Sequence, residues 1–78
     1  MSEAFKETVA DIALTAGYML ALGQISCGDS RELVSNIIIW AEEFIRDHEK
    51  KDWDSEDYIE KVDEFAVQKL EEAYGTRT

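Results

Sequence analysis

The densest run of apolar residues in the chain is Leu33–His48, LVSNIIIWAEEFIRDH. Apolar positions recur there at i, i+3, i+4 and i+7, the spacing of one helical face. At about 100° per residue, Leu33, Val34, Ile37, Ile38, Trp40, Ala41, Phe44 and Ile45 share an arc of roughly 160°. Glu32, Ser35, Asn36, Glu42, Glu43, Arg46 and Asp47 lie opposite. The run Ile37, Ile38, Ile39 would suit a strand by propensity, but strict alternation is absent. Two residues depart from the pattern: Ile39 falls among polar neighbours, and His48 falls on the apolar side. The pattern predicts a middle helix over about 30–50 whose broad face meets both neighbours. Asp29 at the N-cap and Glu32 three residues on form a capping-box sequence. Lys50 and Lys51 suit the negative end of the helix dipole.

The preceding segment predicts a helix over about 3–22. Ser2 can cap it, Glu3 and Glu7 suit its positive end, and Gly23 suits the left-handed position past its C-terminus. Phe5, Val9, Ile12, Ala13, Ala16, Met19 and Leu20 form the expected core face. A second apolar strip, Ala10, Leu14, Gly17, Tyr18 and Ala21, runs along the other side. The latter half of this helix is therefore apolar nearly all round, which marks it as a central helix or a subunit contact. Ala13, Gly17 and Ala21 recur at every fourth position and would admit a close-packed backbone. A glycine inside a helix costs about 1 kcal/mol against alanine, so Gly17 has either a packing role or is simply tolerated.

The third helix is predicted over 55–74. Asp54 is a strong N-cap, Trp53 and Tyr58 stand at hydrophobic-staple positions, and Gly75 follows as the C′ residue. Its expected core face is Tyr58, Ile59, Val62, Phe65, Ala66, Leu70 and Ala73. Its polar face is lopsided. Glu56, Asp57, Glu60, Asp63, Glu64 and Glu71 share an arc of about 120° that includes Val67, whereas Lys61 and Lys69 lie elsewhere on the helix. Exposed helices gain from mixed signs at i, i+4, so a single-sign ridge is either a solubilising face or a docking face for a basic partner.

Together these segments predict an all-α single domain over 1–78, a three-helix up-down-up bundle with short connections. A homodimer is expected over a monomer. Ala10, Leu14, Gly17, Tyr18, Ala21 and Ile39 are the candidate self-association residues. The alternative arrangement is a hairpin of the second and third helices completed by the first helix of another copy.

Composition narrows the function classes. The chain has 78 residues, 18 acidic and 8 basic, for a net charge of −10. That charge opposes direct binding to nucleic acid or an anionic membrane. An apolar share of 45% argues for a folded domain. The apolar stretch Val9–Leu22 lacks the basic start of a secretory signal, is broken by Asp11 and is too short to span a bilayer. With a lone Cys27, this suggests a reducing cytoplasm.

Candidate chemistry is sparse. Asp52-x-Asp54-x-Glu56 resembles the start of a calcium loop, but Asp57 stands where the turn glycine belongs and Asp63 where the bidentate glutamate belongs. One cysteine and one histidine cannot complete a four-ligand zinc site, and no Glu-x-x-His motif is present for a di-iron centre. Gly23 and Gly28 do not make a phosphate loop. Cys27 near a helix N-terminus and His48 on an apolar face are the remaining reactive groups, and both read more readily as structural. No enzyme, metal or cofactor is expected.

Two function classes remain. One is a binding protein that sets the ridge Glu56, Asp57, Glu60, Asp63, Glu64, Val67 and Glu71 against a basic protein surface. By analogy of charge, size and helicity alone, it would inhibit a nucleic-acid-binding protein by occupying its groove. The other is an assembly subunit that oligomerises through its first helix, with acidity serving solubility.

Overall fold

The computed structural model describes residues 3–48 and 55–75. Its helices are α1 (Glu3–Ala21), α2 (Ser30–His48) and α3 (Ser55–Tyr74). Thr8 at the start of α1, Phe44 near the end of α2 and Tyr58 at the start of α3 meet at one end of the bundle. Tyr74 near the C-terminus of α3 meets Glu32 and Asn36 of α2 at the other end. The helices thus run up, down and up. The fold is an all-α three-helix bundle, as the apolar pattern predicts.

The central helix is α1. It packs against both neighbours, while α2 and α3 meet over a shorter line. The central place is one of the two roles that the nearly all-round apolar half of α1 allows, and α2, second in the chain, still meets both neighbours. The buried stripe on α2 is Leu33, Ile37, Trp40, Ala41 and Phe44, an arc of about 100° rather than the predicted breadth. Val34 and Ile38 flank it and remain 55% and 37% exposed. Ile39 lies outside the core, as its phase indicates. A three-helix bundle covers only a narrow stripe of an outer helix, so the wider apolar face of α2 exceeds what its neighbours can bury.

The core joins Ile12, Ala16 and Met19 of α1 to the α2 stripe and to Val62, Ala66 and Leu70 of α3. Each helix contributes a buried alanine: Ala16, Ala41 and Ala66. Short side chains let helices approach closely, and Phe44 is among the largest fully buried side chains. Its ring lies 5.5 Å from that of Tyr58, edge to face, and 5.2 Å from that of Phe65. Four expected core residues on α1 and α3 are exposed: Ala13, Leu20, Ile59 and Ala73. Ala13 and Leu20 sit at the margin of the α1 stripe, whereas Ile59 and Ala73 are in phase with the α3 stripe but lie toward the ends of the helix.

Thr8 lies outside the expected core yet is fully buried. Its hydroxyl donates to the Ala4 carbonyl at 2.7 Å and contacts the Tyr58 hydroxyl. Threonine can turn its hydroxyl back onto its own helix, which lets a polar side chain enter the core satisfied.

The connections follow local chemistry. Gly23 has φ 73° and closes α1. The Gly23 and Gln24 amides donate to the Leu20 and Met19 carbonyls at 3.1 and 2.9 Å, forming a Schellman motif. Ile25 then turns inward and is 2% exposed. The Ser26 amide donates to the Tyr74 carbonyl at 2.9 Å, which pins the connection to the end of α3. Asp29 caps α2, its carboxylate accepting from the Arg31 and Glu32 amides at 3.0 and 3.4 Å. The Glu32 side chain does not complete the expected box. It lies 3.4 Å from the Tyr74 hydroxyl, which donates to it and accepts from the Asn36 amide group at 2.7 Å.

Gly75 differs from the expectation in its reason for being glycine. Its backbone is not left-handed. A Cβ there would stand 2.5 Å from the Glu71 carbonyl oxygen, so the close approach of the backbone excludes a side chain. The Trp53–Tyr58 staple and the Asp54 cap involve positions outside the described residues, as do Ser2, Lys50, Lys51 and Asp52 and the side chain of His48.

A groove where the apolar strip meets the acidic ridge

The second strip of α1 remains open. Ala10, Gly17 and Ala21 are exposed, and Leu14 and Tyr18 are 73% and 67% exposed. A Cβ built on Gly17 meets nothing within 4 Å. Among the described residues Gly17 therefore serves no close helix packing, and the Ala13, Gly17 and Ala21 row is exposed. Ile39, placed with this strip from the sequence, is exposed but belongs to α2.

The ridge of α3 is exposed along its described length. Glu56, Asp57, Glu60, Asp63, Glu64 and Glu71 all face solvent, and Val67 is 36% exposed. The predicted charge pattern holds with one adjustment. Lys61 reaches forward along the helix to within 4.0 Å of Glu64, a long exposed pair of little energetic weight. Lys69 is directed away, 3.4 Å from Glu43 of α2 and 5.5 Å from the centre of the Phe65 ring. The cations of α3 are thus spent at its flanks or against α2, which leaves the ridge anionic.

The strip and the ridge, separate in the sequence, adjoin in the structure. Ala10, Ala13, Leu14, Gly17 and Tyr18 of α1 form one wall of an open groove, and Asp63 and Val67 of α3 form the other. The groove continues along α3 past Glu64, Gln68 and Glu71 toward Gly75 and Gln24. Asp63 and Val67 line both parts. The floor is apolar and the far edge is acidic, and among the described lining residues there is no lysine or arginine.

Asp11 belongs to this electrostatic field. It is half-buried on α1. Burial is the main cause that raises its carboxyl pKa above the ordinary value, followed by the charges of Asp63 and then Glu7. The boundary of α1 and α3 therefore holds three carboxylates that repel one another. Sequence spacing reveals Glu7 and Asp11 as neighbours on one helix. Their approach to Asp63 depends on how the helices pack, and no local signal predicts it.

Among the described residues the remaining reactive groups do not gather into a centre. The Cys27 thiol donates to the Asp29 carbonyl at 3.1 Å in the connection before α2. Among the described residues no group of three or more histidine, cysteine, aspartate or glutamate side chains is placed to hold a metal ion. No described helix is long and apolar enough to cross a membrane. Tyr74 has a raised pKa, chiefly from burial, and its hydroxyl serves the α2–α3 contact. Compared with known proteins, the chain matches no protein-family model, no curated protein and no solved structure.

Proposed function

We propose that this protein acts without catalysis, by presenting the acidic face of α3 to a basic surface on a protein partner. The observation that carries this reading is the exposure of Glu56, Glu60, Asp63, Glu64 and Glu71 along one face of α3, with Asp11 and Glu7 adding negative charge across the helix boundary. Single-sign faces raise association rates with oppositely charged partners and reject like-charged ones. Inhibition of a nucleic-acid-binding protein through its cationic groove is one form this activity would take.

Immobilised protein, offered purified basic proteins at low and at high salt, tests the reading. Capture at low salt should fall steeply as ionic strength rises, because exposed charges are screened over about 10 Å at 0.1 M. The variant E60K/D63K/E64K should lose capture while remaining helical. Equal capture by this variant and the unaltered protein would remove the proposal.

The exposure of Leu14 and Tyr18 supports a second reading, self-association through α1. In that case light scattering should give twice the chain mass, and Leu14→Glu should restore the monomer. A monomer at high concentration excludes this reading.

A further inference from the structure

We infer that the groove between α1 and α3 receives a basic amphipathic helix, with its apolar face on Leu14, Tyr18 and Val67 and its cationic edge along Asp63 and Glu71. The inference rests on the proposed binding role and specifies the kind of basic partner. A flat cationic surface would engage the ridge but leave the adjoining apolar strip in water. A helix with one apolar face and a lysine- or arginine-bearing edge engages both at once.

The geometry fits such an occupant in three respects. From Asp63 to Gly75 the groove follows α3 for roughly 18 Å at 1.5 Å per residue, the length of about three helical turns. Gly17 and its alanine neighbours leave open space on the α1 side, so another backbone can come close. Tyr18 stands exposed at the edge, where its ring can take a guanidinium or ammonium group against its face.

Charge decides between this occupant and a second copy of the chain. A two-fold contact across the groove would bring Asp63, Glu64 and Glu71 toward their own counterparts in a molecule of net charge −10. A cationic helix meets the same residues with attraction. It also removes the repulsion among Glu7, Asp11 and Asp63 that the free protein sustains.

The test uses a 14-residue amidated peptide of leucine and lysine with leucines at i, i+3, i+4 and i+7. An isomer of the same composition, with its leucines scattered round the helix, serves as control. Fluorescence anisotropy at low salt should show the amphipathic peptide binding at least tenfold more tightly than the isomer. Leu14→Glu and Gly17→Leu should each weaken the amphipathic peptide at least tenfold and leave the isomer little changed. Both positions are open to solvent, and unaltered circular dichroism spectra would show that the fold is kept. Equal binding of the two peptides would overturn the groove assignment while leaving the ridge as a general cationic docking face. Binding of neither would overturn the ridge proposal as well. A dimer in sedimentation that Leu14→Glu dissociates, with neither peptide bound, would assign the groove to a second copy instead.

Discussion

Thr8, Gly17, Gly75 and Asp11 show how far single residues depart from the average rules for their types. Thr8 is polar and fully buried, tied to Ala4 and Tyr58. Thr8→Val keeps the volume but leaves the Tyr58 hydroxyl without this partner. Chemical denaturation should show a loss of about 1–2 kcal/mol. The two glycines should respond in opposite ways. Gly17→Ala adds a methyl group into open space and removes backbone freedom from the unfolded chain, so stability should rise by about 0.5–1 kcal/mol. Gly75→Ala drives a methyl group toward the Glu71 carbonyl and should lower the melting temperature.

Asp11 yields a prediction in pH. Its carboxyl pKa is raised in the folded state, so folding favours the protonated form. That contribution is fully present below the unfolded pKa and is lost as pH rises through the folded one. At neutral pH the ionised group therefore opposes folding, and Asp11→Asn should stabilise the protein. The side chain is partly exposed, so solvent screening limits the gain to about 0.5 kcal/mol. The difference should shrink as pH falls through the carboxylate range, as thermal melts of the two proteins at several pH values would show.

At the scale of the helix, the existence and type of each element were legible from periodicity, and so were most boundaries. Gly23 ends α1 through the left-handed cap its sequence announces. Asp29 caps α2 as expected. What the wheel could not supply was the width of each buried face. Val34, Ile38 and Ile59 fit the apolar stripe by phase yet remain exposed, because burial depends on the angle at which a neighbour arrives. Ile25 illustrates the converse. It lies in a polar connection with no periodic signal, and it is buried because the Ser26–Tyr74 backbone bond folds the connection over the end of the bundle. Element-scale substitutions should follow the observed burial. Leu70→Ala, at a fully buried position, should cost about 2–5 kcal/mol in chemical denaturation. Leu14→Ala, of identical chemistry at a largely exposed position, should change stability by less than about 0.5 kcal/mol.

At the scale of the molecule, the acidic ridge and the apolar strip were each legible in the sequence, but not their contact. The ridge follows from the phase of Glu56 to Glu71 within one helix, and the strip from Ala10 to Ala21 within another. Their union at Val67 and Asp63 depends on α1 taking the central place and on the rotation of α3 about its own axis. Both are tertiary properties. Once joined, the two features make an amphipathic surface on a small acidic domain, and it is on this union that the proposal of a partner both basic and apolar rests. Amide chemical-shift mapping of the isotope-labelled protein during titration with the amphipathic leucine–lysine peptide tests this most directly. The predicted shifts lie together at Ala10–Tyr18 of α1 and Asp63–Glu71 of α3, with α2 nearly unchanged. Shifts centred on Val34, Ile38 and Ile39 of α2, or confined to Glu56–Glu60 with none on α1, would contradict it.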